Sequence, residues 1–324
     1  MKIWGLRIAT VLMFALIGLT FVNASWLAPL PRGSLNLVAH RGVYQNFDRE
    51  GLGNDDCTAT RIKKPTHIYL ENTIPSIRRA ITDGANMIEI DLVPTKDGKL
   101  MLFHDRTLEC RTNGTGETRG KTSAELKALD IGYGYTADGG ETFPFRGKGV
   151  GMMPTFEEEL VQFPRADFLI NFKSKDAGEA DMVADLLQKL GRNVDGNYGF
   201  TGDAAPVNRI RQRLPGVWAF TEDEVKTCTT DYVKFGWTGI VPESCKGGTA
   251  AVPLNYQWAI WGWPKRFLER MEKGGTRVIM TGPVKSGSAG RGIEQLEEIP
   301  KVPRDFRGYL ITEEIQLIGP ALRP

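Results

Sequence analysis

The sequence predicts an α/β fold: a (β/α)8 TIM barrel with an N-terminal signal or anchor segment and an insertion after the first strand. From residue 35 onward, short apolar strands alternate with amphipathic helical stretches, and eight such units favour a closed barrel over an open sheet. No G-x-G-x-x-G follows the first strand, which argues against a dinucleotide-binding sheet. A length of 324 residues suits a barrel with a leader and insertions.

Each predicted strand is a short apolar run bounded by turn residues. The predicted strands are residues 35–40, 87–93, 99–104, 167–173, 198–201, 217–221, 239–242, 277–281 and 308–312. Each predicted helix has apolar residues at helical spacing. The predicted helices are residues 74–83, 123–129, 177–190, 208–214, 224–235 and 264–273. Gly84 and Gly191 close two of these helices.

Two segments exceed what a minimal barrel needs. Residues 44–70 form an insertion after the first strand, and residues 132–153, rich in glycine and aromatic residues, predict a long surface loop. Because each follows a polar strand end, either could border an active site.

Residues 1–24 have the pattern of a secretory signal peptide. Lys2 and Arg7 precede an apolar run at 8–22, and small residues stand at the −3 and −1 positions before Ser25.

An uncleaved membrane anchor is the alternative for this leader. A run of fifteen apolar residues is short for a membrane span, which takes ~20, but Trp26 and Leu27 could lengthen it. In either case we expect the barrel domain, residues 33–324, to be periplasmic or secreted, or attached to a membrane through its leader.

The charge of the chain gives no argument for a nucleic-acid partner. The formal net charge of +2 equals the charge of Lys2 and Arg7, so the remainder of the chain is neutral. An anionic substrate must therefore be held by local charge.

Four cysteines, an even number, suit an oxidising compartment. None forms a C-x-x-C pair, which disfavours a zinc ribbon. Of three pairings, Cys57–Cys110 with Cys228–Cys245 is favoured, since each bridge joins loops that flank a predicted element. Four buried free thiols are the alternative.

An acidic pair occupies one face of the second strand. Glu89 and Asp91 are two residues apart and share that face, whereas Ile88 and Ile90 face the other way. Two adjacent carboxylates repel each other unless they are neutralised. A divalent cation with oxygen ligands, Mg²⁺ or Ca²⁺, would neutralise them; arginine or lysine could do so instead.

Two of the three histidines stand next to these acids. His40 ends the first strand together with Arg41, whose planar fork suits a phosphate oxygen or a carboxylate. His104 closes the strand that starts from the same turn as the acidic pair. Two histidines that flank a metal can serve as base and acid in phosphoryl transfer. A structural or solvated His-Arg pair is the alternative, and His67, in the insertion, is expected to be exposed.

These residues form an ordered pattern: His40-Arg41-Gly42, then Glu71-Asn72-Thr73, then Glu89-x-Asp91, Thr95-x-Asp97-Gly98 and His104-Asp105. The pattern closely resembles the glycerophosphodiester phosphodiesterases. The resemblance lies within residues 35–110, and a weaker similarity occurs in the last strand. The ordered set is specific, although no single piece of it is.

The resemblance implies a TIM barrel that hydrolyses glycerophosphodiesters to glycerol 3-phosphate and an alcohol, with a divalent metal. It implies that His40 and His104 are the general acid and base, and that Glu89 and Asp91 bind the metal. Arg41 would hold the phosphate. Glu71 would orient Arg41 or approach the metal.

The sequence departs from the family pattern at two places. Asn171 stands where the family has a third carboxylate ligand, and its amide oxygen could still bind the metal, more weakly. Lys173 shares its face and remains available to contact phosphate. The seventh strand lacks the family's tryptophan. The substrate contact could come from the tryptophans at 258, 261 and 263, which could equally be packing residues.

Three functions remain open from the sequence. The first is a metal-dependent hydrolase acting on deacylated phospholipids such as glycerophosphocholine. The second is a phospholipase or lyase of the same barrel type that forms a cyclic phosphate, with loop 132–153 as its apolar rim. The third is a non-catalytic barrel that binds glycerophosphodiesters, which only Asn171 favours.

Overall fold

The structure, a computed structural model, describes residues 2–53, 56–194, 196–285 and 290–322. Residue 1, residues 54–55 of the predicted insertion, and residues 195, 286–289 and 323–324 of the predicted barrel domain lie outside the described residues.

The strands of the described chain join in one sheet. They are β1 Leu35–His40, β2 Met87–Pro94, β3 Leu100–Leu102, β4 Asp167–Phe172, β5 Tyr198–Gly202, β6 Trp218–Phe220, β7 Thr249–Pro253, β8 Arg277–Thr281 and β9 Gly308–Thr312. Eight pair in the order β6-β5-β4-β2-β1-β9-β8-β7, and β3 adds antiparallel to β2. The two ends of this order are linked by the Trp218 Nε1–H, which donates to Thr249 Oγ1 at 2.9 Å. This nearly closed parallel barrel confirms the predicted fold class.

Helices alternate with the strands. They are α1 Lys2–Asn23, α2 Ile74–Thr82, α3 Ser123–Lys127, α4 Phe156–Gln162, α5 Gly178–Lys189, α6 Ala204–Arg213, α7 Glu222–Phe235, α8 Lys265–Lys273 and α9 Ile315–Leu322. Capping boxes begin three of them, at Thr122, Thr155 and Thr221. In each box the threonine hydroxyl and a glutamate three residues later satisfy backbone N–H groups that the helix leaves free.

The predicted strand at 239–242 is wrong. Gly239 has a left-handed φ of 85° and Ile240 is exposed, whereas the strand lies further on, at Thr249–Pro253, paired with β8. An apolar run without a neighbouring strand is not a strand. Helices α4 and α9 were also missed, the first because its capping box was not recognised and the second because it contains Pro320.

The interior of the barrel follows from the two-residue period of its strands. Val38, Met87, Leu169 and Ile279 point inward and pack with Trp218 in one buried cluster. The alternate residues of the same strands pack outward against the helices. The interior near the amino ends of the strands is therefore filled with apolar side chains.

The insertion 44–70 and loop 132–153 pack against each other beyond the ends of β2 and β3. Tyr44 and Phe47 share a buried cluster with Tyr135 and Phe145. The expectation of a surface loop at 132–153 is therefore wrong for its main aromatic side chains. Since these rings are buried, they cannot form an exposed apolar rim.

The predicted disulfide pairing is confirmed. Cys57 bonds to Cys110 and Cys228 bonds to Cys245. The first bridge joins the insertion to the segment after β3, and the second joins α7 to the turn before β7. Free thiols, the alternative, are excluded for all four cysteines.

Helix α1 is longer than the apolar run that the sequence suggested. It spans 22 residues, and its stretch from Trp4 to Asn23 is long and apolar enough to cross a membrane by length and composition. Its apolar side chains are not buried by the barrel, and its last two residues, Val22 and Asn23, bond to the barrel.

The burial of Glu159 predicts that the free energy of unfolding depends on pH. Both of its carboxylate oxygens are buried without a hydrogen-bond partner among the described residues, and burial raises its pKa to about 8, opposed by Arg78. The folded state therefore keeps a proton that the unfolded state loses above its ordinary pKa of 4.5. The free energy of unfolding should fall as pH rises from about 5 to about 8.

Glu159→Met removes this titration. We expect it to raise the free energy of unfolding at pH 8 by on the order of 1–3 kcal/mol, with a smaller gain at pH 5. Denaturant unfolding at the two pH values measures the effect, and Glu157→Met, at a half-buried neighbour that pairs with Lys189, should leave the pH slope between these values nearly unchanged. An unchanged pH slope in Glu159→Met would contradict the assignment.

Candidate active site

Charged side chains replace apolar ones inside the barrel toward the carboxyl ends of its strands. Along β2, Met87 is followed on the same face by Glu89 and then Asp91. His40 pairs in register with Glu89, and Asp91 with Asn171. Neighbours in parallel register point to the same side, so these side chains meet inside the barrel, at the end where such folds carry their sites.

The backbone at the end of β1 is held in an unusual conformation. Arg41 and Asn72 have left-handed φ angles of 56° and 55°, which side chains other than glycine adopt at a cost of roughly 1–3 kcal/mol. The Arg41 N–H donates to the Glu89 carbonyl and the Asn72 N–H to the Arg41 carbonyl, each at 3.0 Å. At Gly42 a Cβ would lie 2.3 Å from Ser76 Oγ, so only glycine fits. The strained turn fixes where the Arg41 side chain enters the barrel.

Two buried arginines share Glu71. Arg41 Nη1 donates to Glu71 Oε1 at 3.1 Å and its Nε lies 3.3 Å from Asp91 Oδ2. Arg111 Nε lies 3.2 Å from Glu71 Oε1, and Arg111 also binds Asp105. Burial raises the pKa of Glu71, but the two arginines outweigh it and the pKa is lowered. Glu71 therefore stays ionised and fixes both guanidinium groups.

The β2–β3 hairpin positions His104. After β3, the Phe103 N–H donates to the Asp91 carbonyl at 3.1 Å, so His104, the next residue, lies beside the acidic pair. His104 Nδ1 bonds Asp105 Oδ1 at 2.7 Å. Burial and the charge of Arg41 lower its pKa to about 4, although Asp91 and Asp105 oppose the shift. His104 is thus a neutral imidazole with Nδ1 engaged, which leaves Nε2 available.

His40 is held in the same way by a carboxylate from the last strand. His40 Nδ1 bonds Glu313 Oε2 at 2.6 Å, and His40 Nε2 lies 3.8 Å from Glu89 Oε2. Tyr44 and Arg49 bind the same oxygen of Glu313. Burial lowers the pKa of His40, but Glu313 and Glu89 outweigh it, so the pKa is raised. The two histidines are therefore shifted in opposite directions.

The acidic pair is closely surrounded by donors. The Asn171 amide donates to Glu89 Oε1 and to Asp91 Oδ1, each at 3.1 Å, and Lys173 Nζ lies 3.6 Å from Asp91 Oδ1. Burial and the charge of Asp91 raise the pKa of Glu89. Burial also raises the pKa of Asp91, but Lys173, His104 and Arg41 outweigh it and lower that pKa. Glu89 is thus the acid whose charge is the less well compensated.

The donor set fits a hard divalent cation, with one weakness. The side chains of Glu89, Asp91 and Asn171 converge within hydrogen-bonding distance, and a cation would relieve the repulsion that raises the pKa of Glu89. Two of the three are acidic and the third is an amide. Among the described residues, no three His, Cys, Asp or Glu side chains come together as a metal site.

The structure brings the predicted site residues together. They are His40, Arg41, Glu71, Glu89, Asp91, His104, Asn171 and Lys173. The two predicted phosphate contacts differ in access, since the side chain of Arg41 is 8% exposed and that of Lys173 is 23% exposed. Lys173 is the more open of the two.

The structure also shows the surroundings of His67 and of the tryptophans between β7 and α8. His67 is half-buried and accepts from Gln45 and the Tyr69 N–H, so the expectation of an exposed side chain is wrong. Trp261 donates to the Val233 carbonyl, and Trp263 packs on Phe267 and Phe306. Trp258 remains exposed.

Sequence reasoning gave no role to three residues that shape the site. Glu313 directly follows the last strand, and a carboxylate at the carboxyl end of a barrel strand is a signal that could have found it. Asp105 follows His104 directly. Arg111 stands next to Cys110, and a sequence pattern gives no sign that a disulfide neighbour reaches Glu71.

Together, the fold and site define a class: a parallel (β/α)8 barrel whose carboxyl end carries two carboxylate-held histidines, an acidic pair and buried arginines. Residues 40–198 match the glycerophosphoryl diester phosphodiesterase family. This match confirms the predicted resemblance to that family.

A curated relative supports the same family. The chain is 39% identical over 125 residues to a glycerophosphodiester phosphodiesterase of Bacillus subtilis, an alignment that covers 37% of this chain and 41% of the relative. The chain thus spans about two fifths of the length of that relative.

Solved structures share the fold. The glycerophosphoryl diester phosphodiesterase domain of a Mycobacterium tuberculosis protein superimposes with a TM-score of 0.62 at 16% identity, covering 89% of this chain and 98% of that one. A phosphodiesterase from Oleispira antarctica, solved with its product sn-glycerol-3-phosphate, gives a TM-score of 0.56 at 16% identity, covering 93% and 99%.

The Cys57–Cys110 bridge should matter more to activity than the other disulfide. Cys57 and Cys110 adjoin Thr58 and Arg111, and the Arg111 Nη2–H donates to Thr58 Oγ1 at 2.6 Å. A double Cys57→Ser, Cys110→Ser variant should lose roughly 10-fold or more in kcat, because Arg111 then holds Asp105 and Glu71 less precisely. The matched control is the Cys228→Ser, Cys245→Ser variant, compared at a temperature where both remain folded. Equal losses would contradict a specific link between the first bridge and the site.

Proposed function

We propose that the protein hydrolyses glycerophosphodiesters to glycerol 3-phosphate and an alcohol. The observation that carries this proposal is the pair of histidines, each bonded at Nδ1 to a carboxylate, with one next to Glu89 and the other next to Asp91. The family match over residues 40–198 supports it, as does the similar barrel solved with sn-glycerol-3-phosphate.

The histidines are proposed to move the two protons that hydrolysis requires. One imidazole accepts a proton from the attacking water as the new P–O bond forms. The other donates a proton to the alcohol oxygen as the old P–O bond breaks, so the products are a phosphate monoester and a neutral alcohol. Glu313 and Asp105 fix the ring orientations, which leaves each Nε2 free for this transfer.

Glu89, Asp91 and Asn171 are proposed to hold a divalent cation, Mg²⁺ or Ca²⁺. Such a cation, when bound, neutralises charge on the phosphoryl oxygens. Because Asn171 supplies no charge, we expect weaker binding than a third carboxylate would give. Lys173 lies 3.6 Å from Asp91 and is the main candidate to contact a phosphate oxygen.

Arg41 and Glu71 are proposed to act as a pair at the phosphate. Arg41 contributes positive charge from a buried position, and Glu71 keeps its guanidinium in place. The named site contains five carboxylates: Glu71, Glu89, Asp91, Asp105 and Glu313. Four permanent cations face them: Arg41, Arg49, Arg111 and Lys173. A phosphodiester anion therefore depends on His40, the metal, or both for further positive charge.

The proposed compartment is the periplasm or the cell exterior. The barrel domain contains two disulfides, and such bonds persist in oxidising compartments. The apolar helix α1 would direct export, either as a cleaved signal peptide or as a membrane anchor.

Product analysis distinguishes the competing functions. Purified full-length protein is incubated with glycerophosphocholine and with phosphatidylcholine, with and without a chelator, and followed by phosphorus NMR. Glycerol 3-phosphate from the first substrate supports the hydrolase. A cyclic phosphate would identify a lyase, and binding without turnover in any divalent metal would favour the binding protein.

Removal of either histidine should abolish turnover. His40→Ala and His104→Ala should each lower kcat by ~10²–10⁴-fold, since each removes a proton-transfer group. His67→Ala is the matched control and should keep most of the activity, because His67 bonds Gln45 away from the acidic pair. Activity that survives both active-site substitutions would sink the acid–base assignment.

Glu313 should act through His40. Glu313→Gln keeps the shape but weakens the hold on His40 Nδ1, so we expect kcat to fall ~10²-fold or more while KM changes little. Glu314→Gln is the control, since Glu314 bonds Asn46 instead. A change confined to KM would place Glu313 in substrate binding.

Asn171→Glu should tighten metal binding. The added charge should lower the divalent-ion concentration for half-maximal activity by ~10-fold, and calorimetry on the protein without substrate should show the same shift. Asn171→Gln, which adds length but no charge, should not. Equal affinities in all three proteins would show that residue 171 is not a ligand.

A further inference from the structure

The end of helix α1 is built into the barrel. Arg270, in the last turn of α8, is 7% exposed. Its guanidinium donates to the Val22 carbonyl at 2.8 Å and to Asn23 Oδ1 at 3.0 Å. The same group donates to Tyr232 OH at 2.9 Å and to the Gly236 carbonyl at 3.0 Å. Four acceptors from three segments thus converge on one buried cation.

These contacts require the residues that signal cleavage would remove. Cleavage before Ser25 would take away the Val22 carbonyl and Asn23 Oδ1, two of the four acceptors of Arg270. The Asn23 amide also donates to the Trp237 carbonyl at 2.9 Å, and Ala24 is buried. A buried guanidinium that loses its acceptors is unfavourable. The folded barrel therefore contains contacts that exist only while α1 remains attached.

A belt of exposed apolar side chains surrounds this junction. Its residues, called here the apolar collar, are Trp26, Leu27, Leu30, Phe235, Trp237 and Ile240. The first three follow α1 along the chain, and the other three lie at or just after the end of α7, where Trp237 meets Asn23. Exposed apolar residues grouped in this way mark an interaction surface, and tryptophan favours the membrane interface.

The junction runs along helix α8. Arg270 lies three residues before the end of α8 at Lys273, and Ser25 Oγ accepts from the backbone N–H of Lys265 at the start of the same helix, at 3.0 Å. Trp26 and Leu27, which follow Ser25, therefore lie beside α8.

We propose that α1 remains attached and spans the membrane, with the apolar collar seated in the lipid interface on the outer side. The bilayer is the occupant because the collar continues a helix whose 20-residue apolar stretch from Trp4 to Asn23 can cross it. Arg7, near the amino end of that stretch, then lies at the cytoplasmic interface, as positive residues do. This inference concerns location and does not depend on the proposed reaction.

The first experiment tests whether α1 is retained. The full chain is expressed in a bacterium with a periplasm, and its intact mass and membrane attachment are measured. We expect a mass that includes α1 and a protein that stays in the membrane pellet after alkaline carbonate washing. A chain that begins at Ser25, or one released by carbonate, would overturn the proposal.

The second experiment tests whether the apolar collar contacts lipid. The full-length protein is placed in phosphatidylcholine vesicles with brominated acyl chains, which quench nearby tryptophan emission. Of the seven tryptophans, Trp4, Trp26 and Trp237 should be quenched. A Trp26→Phe, Trp237→Phe double variant should therefore lose quenching roughly threefold, since one of three membrane-exposed rings remains.

The control variant is Trp258→Phe, whose exposed ring lies in the segment after the carboxyl end of β7. It should leave quenching unchanged. Unchanged quenching in the double variant would overturn the seating of the apolar collar in the lipid. Circular dichroism of all variants confirms that they are folded, and neither readout uses enzymatic activity.

Discussion

The structure depends on the balance of charge inside one end of the barrel. Toward the amino ends of the strands, Val38, Met87 and Leu169 fill the interior without electrostatic cost. Toward the carboxyl ends, the same faces carry acids and bases, which are stable in a buried position only when they pair. Each of the two buried arginines contacts two carboxylates, and Glu71 lies between them. The catalytic geometry is thus inseparable from the neutralisation of these charges.

That constraint explains why the site draws on distant segments. The acidic pair and Asn171 come from the neighbouring strands β2 and β4, whereas the orientation of the histidines depends on groups far away in the chain. Glu313 follows the last strand, which pairs with β1, and Asp105 is fixed by Arg111, beside the disulfide that ties the insertion to the hairpin. The insertion and loop 132–153, which add Tyr44 and Tyr135 to this network, therefore belong to the site rather than to the periphery.

The candidate active site and the attachment of helix α1 use different parts of the barrel. The carboxyl ends of the strands gather the polar groups of the site, whereas α1 joins the barrel along helix α8, where Arg270 binds the Val22 carbonyl and Asn23 next to exposed aromatic residues.

The sequence alone was enough to predict the barrel and to indicate which side chains meet at Glu89 and Asp91, and it favoured the observed disulfide pairing without excluding free thiols. Strand periodicity and the ordered motif could be recognised because both are local properties that act over a few residues. Only the tertiary structure decided that Glu313 holds His40, that Arg111 reaches Glu71, and that strand β7 lies at Thr249–Pro253 rather than at 239–242. Each of these depends on a partner far away in the chain: Glu313 is 273 residues from His40, and β7 is a strand because β8 pairs with it. Pairing across such separations is set by the closure of the barrel, which no local pattern records.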